Sequence, residues 1–437
     1  MGRVTVPGAA SAGGRDVELS ARAGHASAYP FSLARLAPAH LVAGLVGVAF
    51  VARLAIRLRG GEEAFLATGY SLYLEIANNL LQGRGFCLDG GLSCALRLPV
   101  YPAFIAPWMA SGWLYPGLAI AQAALGAALV WVAWRIACDL FDARAGVIAA
   151  ALTALSPYAL QHDTGIQDTV LVNFLVGVTA YLLWQTRHRG APAICLAAGL
   201  ALAVALLTTG RLALAAPAVI VWALFGAGPT VRTRLRSAAL IGLPVALLLG
   251  AWIARNASVV GAPVLTTESG HSLWVANNAW AMAHFPAESI DLSVRDSHNG
   301  MSPAERAAFE RVSSNEVARD RLLRTWAVEY IQAHPGLTIT NGVRKVWVAI
   351  SAELSPARSA VLRWGYLAVF APIHLLAAIG LWQQRHAWRA HSLTAAILLA
   401  FGATTAVFWA HTSHKSYLDM FLFVYAGAVG RNAWRAA

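Results

Sequence analysis

Arg97, Arg211 and Arg255 each stand beside an apolar stretch, as do His414, Lys415 and two acids, Asp163 and Asp168. A guanidinium holds a phosphate through parallel N–H donors, and a carboxylate can take the proton from an attacking hydroxyl or amine. At the rim of a membrane bundle such groups suit chemistry on an anionic headgroup whose tail stays in lipid. Each also has a plainer reading. Arg97 at a loop end can snorkel to headgroups, and His414 and Lys415 can anchor an interface. Asp168 can cap a helix, although two acids on the turn 161–168 exceed what capping needs. Asp419, one turn into the last apolar stretch, calls for a partner, and Lys415 stands four residues before it.

The elements that must position these groups are membrane helices. Of the 437 residues, 58% are apolar and 12% charged, against about 25% charged in soluble domains. The 33 Lys+Arg against 21 Asp+Glu are scattered between apolar segments and form no single basic stripe, so nucleic acid is not an expected partner. Apolar stretches fall near 41–58, 116–138, 145–160, 169–186, 191–208, 211–228, 237–255, 363–382, 391–410 and 416–430. A span takes roughly 20 residues, so about ten transmembrane helices are expected. With the N-terminus in the cytoplasm, Arg144, Arg187, Arg232, Arg385, Arg431 and their neighbours all obey the positive-inside rule. Residues 1–39, rich in Ala, Gly, Ser and Arg, then read as a disordered cytoplasmic tail, 40–430 as the membrane domain and 431–437 as a second cytoplasmic tail.

This orientation puts two long loops, 60–115 and 256–362, in the outer compartment. Within the first, Tyr70 to Leu81 places Tyr73, Ile76, Ala77, Leu80 and Leu81 on one helical face and Glu75 on the other. The segment 100–113 is apolar but short and broken by Pro102 and Pro107, which suits a helix lying in the interface. Cys87 and Cys94, separated around Gly90 and Gly91, would close a disulfide in an oxidising compartment; a metal site needs more ligands than this loop offers. In the second loop, Ser302-Pro303-Ala304-Glu305 is a capping box. The helix it opens should run through Tyr330 to a stop at His334-Pro335, forming part of a cap over the bundle.

The run Thr68–Pro102, with Tyr73, Ala77, Leu80, Gly83, Gly85, Phe86 and Arg97-Leu98-Pro99-Val100-Tyr101-Pro102, resembles the first outer loop of GT-C class, polyprenyl-phosphate-sugar-dependent glycosyltransferases of the protein mannosyltransferase-like and aminoarabinose transferase-like kind. The resemblance extends through Gln167-Asp168-Thr169, Trp252 to Asn256, Thr266 to Gly270, Leu273-Trp274, Asn277-Asn278 and Ser413 to Tyr425, so it covers about 40–430 in the expected order. It implies an all-α GT-C bundle with interfacial helices and an outer cap. The enzyme would pass a sugar from a polyprenyl phosphate to an unspecified acceptor at the outer face of a bacterial inner membrane.

On that resemblance Arg97 and Arg255 contact the donor phosphate, with Arg211, His414 and Lys415 as further cations. Tyr73, Tyr101, Asn277 and Asn278 line the substrate loops. One departure stands out. Relatives carry an acid four residues before the tyrosine matching Tyr73, and here that position is Gly69. Asp168 is then the foremost carboxylate, with Asp163 and Glu75 behind it. No obligatory cofactor is expected; a divalent cation stays open. Membrane lipids are expected partners. Two rival readings are a non-catalytic membrane subunit, which the missing acid favours, and a transporter, which calls for broken spans and midplane charges.

Overall fold

The structure, a computed structural model, describes residues 33–189, 191–356, 359–409 and 411–429. The expected tails lie outside these residues, apart from positions 33–39, which begin the first helix. That helix is α1 (Leu33–Leu66), followed by α2 (Ser71–Leu81) and α3 (Val100–Ala110) in the first loop. The chain continues through α4 (Leu114–Leu140), α5 (Ala143–Ala154), α6 (Pro157–His162), α7 (Thr169–Arg189), α8 (Pro192–Leu206), α9 (Ala215–Gly226) and α10 (Val231–Val260). A second helical layer holds α11 (Ser269–Ala276), α12 (Ile290–Asn299), α13 (Pro303–Val312), α14 (Glu316–Ala333) and α15 (Pro335–Ile350). The last helices are α16 (Ala360–Gln383), α17 (Trp388–Val407), α18 (Thr412–Lys415) and α19 (Asp419–Ala428).

Among the described residues, seven helical stretches are long and apolar enough to cross a membrane: α1, α4, α5 with α6, α7, α10, α16 and the stretch ending in α17. The protein is therefore an all-helical, multi-pass membrane protein. The other three expected spans are helices too short for that test: α8 has 15 residues, α9 has 12 and α19 has 10. At 1.5 Å per residue even α8 covers only about 22 Å of a hydrocarbon core about 30 Å thick. For α19 the apolarity has another cause. Every residue of α19 except Leu422 is buried, packed against α4, α5 and α16. An apolar sequence bound for the inside of a bundle reads the same as one bound for lipid.

The two loops meet at one end of the bundle. Asn256, at the end of α10, donates to the Val264 and Leu265 carbonyls, and the following strap bonds the first loop through Thr267 N–H to Ala95 O and Thr266 Oγ1 to Leu96 O. The capping box forms on α13. The single helix expected to follow is instead two, because Asn315 accepts the Ala318 N–H and opens α14 afresh. α14 ends at Ala333, at the expected His334-Pro335 stop, and Pro335 opens a separate helix, α15, with Gly342, Lys345, Val348 and Ala349 buried along a span it packs on, α17. Ile339, Val343, Trp347 and Ile350 face outward from it.

Candidate active site

The turn between α6 and α7 is the base on which the site is built. Arg53, inside α1 and 1% exposed, pairs with Asp163 at 2.7 Å and donates to the Ala49 and Ala154 carbonyls. Gly126 of α4 faces this pair so closely that a Cβ there would lie 2.4 Å from Arg53 Nε. Gln122 binds the Asp163 and Gly165 carbonyls at 2.9 and 2.8 Å, and Arg57 donates to Thr164 Oγ1 at 3.0 Å. Asp163 is thus committed to Arg53, so its carboxylate serves the turn rather than a substrate.

The same turn accounts for Gly69. Gly69 and Ile166 form an isolated parallel bridge, and the Tyr70 N–H donates to Ile166 O at 3.0 Å. At φ +80°, any Cβ on residue 69 would sit 2.1 Å from that oxygen. An acid cannot occupy this position without undoing the bridge. The bridge in turn holds Asp168, two residues beyond Ile166, beside the place where the first-loop acid would stand.

Around Asp168 the loops and spans deliver charge and hydroxyl groups. Burial pushes the Asp168 carboxyl above its ordinary value, while the Arg211 and Arg97 guanidiniums pull it back. Tyr73, whose hydroxyl burial raises further, lies within electrostatic reach of Asp168, Arg97, Tyr417 and Arg211. Tyr73 packs edge-on against Tyr101 with ring centres 4.9 Å apart, and Tyr101 is wholly buried. Arg97 is ion-paired to Glu268 of the strap, while its buried Nε is unpartnered among the described residues. Arg211, on the short turn before α9, hydrogen-bonds Tyr417. Among the described residues it is also the one charged group lining a small cavity of about 30 Å³ whose other walls include Val176, Leu202, Val219 and Phe401. An apolar cavity between four helices therefore ends on a guanidinium.

The other candidates sit elsewhere. Arg255 spends its donors on Cys94 O, Phe86 O and Asn256 Oδ1 and stacks over Trp252 and Phe86, which pins the first loop. Asn277 ties Leu273 O to Val407 O, and Asn278 ties Trp274 O to Ser297. Glu75, exposed on α2, accepts the Asp89 N–H, and Cys87 and Cys94 are joined as a disulfide. Lys415 is buried against the Ser351 and Glu353 carbonyls. His414 lies in the cluster, but burial and the Arg211 charge push its pKa well down, and His411 falls to about 4 for the same reasons. Neutral imidazoles add no positive charge, which leaves that work to Arg97 and Arg211.

Sequence reasoning missed four groups. Tyr417 lay inside a motif without a role. Arg53 was visible as an unusual mid-span charge, but its partner 110 residues away was not. Glu316 accepts the Cys94 and Ala95 N–H groups and the Thr267 hydroxyl, and Glu268 reaches Arg97; in sequence both are ordinary loop acids.

Residues 99–253, from α3 into α10, match the family model of dolichyl-phosphate-mannose-protein mannosyltransferases. The chain is similar in fold to the archaeal oligosaccharyltransferase AglB from Archaeoglobus fulgidus, described in complex with an inhibitory peptide and a dolichol-phosphate, at 14% identity and a TM-score of 0.51 over 90% of this chain and 51% of that one. It therefore spans about half the length of that relative. ArnT from Cupriavidus metallidurans also matches, at 16% identity and TM-score 0.40 in its apo state and at 15% and 0.38 bound to undecaprenyl phosphate, each over 92% of this chain and 79% of that one. Comparison with curated proteins finds no match.

Proposed function

We propose that the protein is a glycosyltransferase that moves a sugar from a polyprenyl-phosphate donor to an acceptor at the outer face of a bacterial inner membrane. The acceptor nucleophile attacks the anomeric carbon, the bond from that carbon to the phosphate oxygen breaks, and the phosphate leaves with the electron pair. Asp168 takes the acceptor's proton as general base. Arg97 and Arg211 stabilise the charge gathering on the departing phosphate, being fixed there before the reaction starts. Asp163, Arg255, Asn277 and Asn278 hold the walls of the site.

The observation that carries this reading is Arg211. It belongs at once to the apolar pocket and to the cluster around Asp168, so a lipid tail in the pocket would bring its phosphate to Asp168. Burial of that carboxyl raises its basicity toward the working pH, as a general base requires. The family model's description, a dolichyl-phosphate-mannose enzyme, fits the same donor class.

Turnover of polyprenyl-phosphate sugars by the protein in nanodiscs tests the reading. Arg211→Ala should lower kcat/KM by about a hundredfold, the scale of losing one fixed transition-state donor. Full turnover in that variant would remove Arg211 from the reaction. A native chain that binds donor yet turns over none of a broad acceptor panel would mark it as a non-catalytic subunit.

A further inference from the structure

The Arg97 guanidinium is the one member of the cluster that already holds an anion, and that anion comes from the strap after α10. Glu268 pairs with Arg97 with both side chains only partly exposed, at 22% and 29%. Its place is not accidental to the chain's path. The Glu268 N–H bonds Thr266 Oγ1 at 3.2 Å, Thr266 Oγ1 donates to Leu96 O at 2.7 Å, and the Thr267 N–H reaches Ala95 O at 2.9 Å. Two consecutive residues of the strap, Thr266 and Thr267, are thus bonded to the two residues that immediately precede Arg97, and the third, Glu268, meets Arg97 itself. Meanwhile Arg97 Nε stays buried without a partner among the described residues, so Glu268 uses only part of what the guanidinium can offer.

We infer that Glu268 occupies the anion seat of Arg97 in the empty enzyme and gives it up to the donor phosphate. The inference rests on the donor reading above. A carboxylate on one edge of a guanidinium is a weaker ligand than a phosphate that can also take the idle Nε and the neighbouring Arg211. Burial, and after it the neighbouring Arg211, disfavour the charge on Arg97, and a carboxylate beside the guanidinium works against both. On donor binding it is displaced. Because Glu268 immediately precedes α11, its release alters the contact between the cap and the first loop, which links donor occupancy to the cap that covers the acceptor side. Glu268 is thus a positioning residue, whose presence reduces apparent donor affinity by the fraction of time it holds Arg97.

Binding of undecaprenyl phosphate to the full chain in nanodiscs separates the possibilities. Glu268→Gln should bind about five- to tenfold tighter than the native protein, since the seat is then always open. Arg97→Ala should bind at least tenfold more weakly, and Arg97→Ala/Glu268→Gln should match Arg97→Ala alone. A purely structural role for Glu268 moves affinity down, not up. Unchanged or weakened binding in Glu268→Gln, with Arg97→Ala still weak, overturns the displacement and leaves the donor seat standing. Unchanged binding in Arg97→Ala overturns both. Should Glu268→Gln fail to fold, Glu268→Asp, shorter by one methylene, replaces it with the same expected tightening and the same overturning result.

Discussion

On the proposed mechanism Asp168 is the residue on which the chemistry turns, and its surroundings set its titration. Burial disfavours the carboxylate, so the group ionises at a higher pH than an ordinary aspartate, with Arg211 and Arg97 limiting the shift. A general base works only when ionised. Activity should therefore fall on acidification, beginning above the usual aspartate range, and the limb should vanish in Asp168→Asn along with at least a hundredfold of kcat. The stability sign runs the other way. A carboxyl whose folded pKa is raised favours folding while protonated, and that contribution is lost as pH rises through the raised value. Asp168→Asn should thus unfold at the same or a higher temperature than the native chain at neutral pH. An Asp168→Asn protein that folds and turns over normally would exclude it as the base. The sequence pointed to Asp168 because Gly69 left it as the motif-supported acid; why Gly69 must be glycine was hidden until the bridge to Ile166 was seen.

Between residue and molecule stand the helices and the turns that lock them. Helix positions were readable because apolar runs and capping signals are local: the Ser302 box and the amphipathic α2 form as their patterns require. Span number was less readable, since burial inside the bundle makes α19 as apolar as lipid contact would, and α8 and α9 are apolar but short. Pairings across the chain were not readable at all. Arg53 and Asp163 show this most plainly, as either could have been catalytic by type and only their 2.7 Å contact assigns them to structure. Removing one partner leaves the other charge buried and unpaired, which costs about 3–5 kcal/mol. Arg53→Met should accordingly lower the unfolding temperature sharply in detergent, whereas Arg53→Met/Asp163→Asn, which removes both charges, should recover a large part of the loss. Equal instability of the single and double variants would mean that the loss comes from the pair's own contacts and not from a charge left stranded.

For the whole molecule the decisive property is polarity between its two ends. The first loop and the cap are bonded together at one end through Glu316, Thr267 and Arg255. At the Arg-rich turns, Arg187 donates to the Arg389 carbonyl and Gln185 to Asp139, so those turns gather with one another, as positive-inside placement demands of cytoplasmic connections. The orientation proposed above puts the cap end outside, where a lipid-linked donor would present its sugar. Cysteine labelling can decide it. Ser314 in the cap and Ala387 at the other end are both exposed, and in a chain whose Cys138 and Cys195, outside the disulfide, are changed to Ala, each can be replaced singly by cysteine. A membrane-impermeant maleimide added to intact spheroplasts should label Ser314→Cys and leave Ala387→Cys untouched until the membrane is opened. The reverse pattern would place Asp168, Arg97 and Arg211 on the cytoplasmic side, and the outer-face donor chemistry would have to be abandoned even with every contact in the site unchanged.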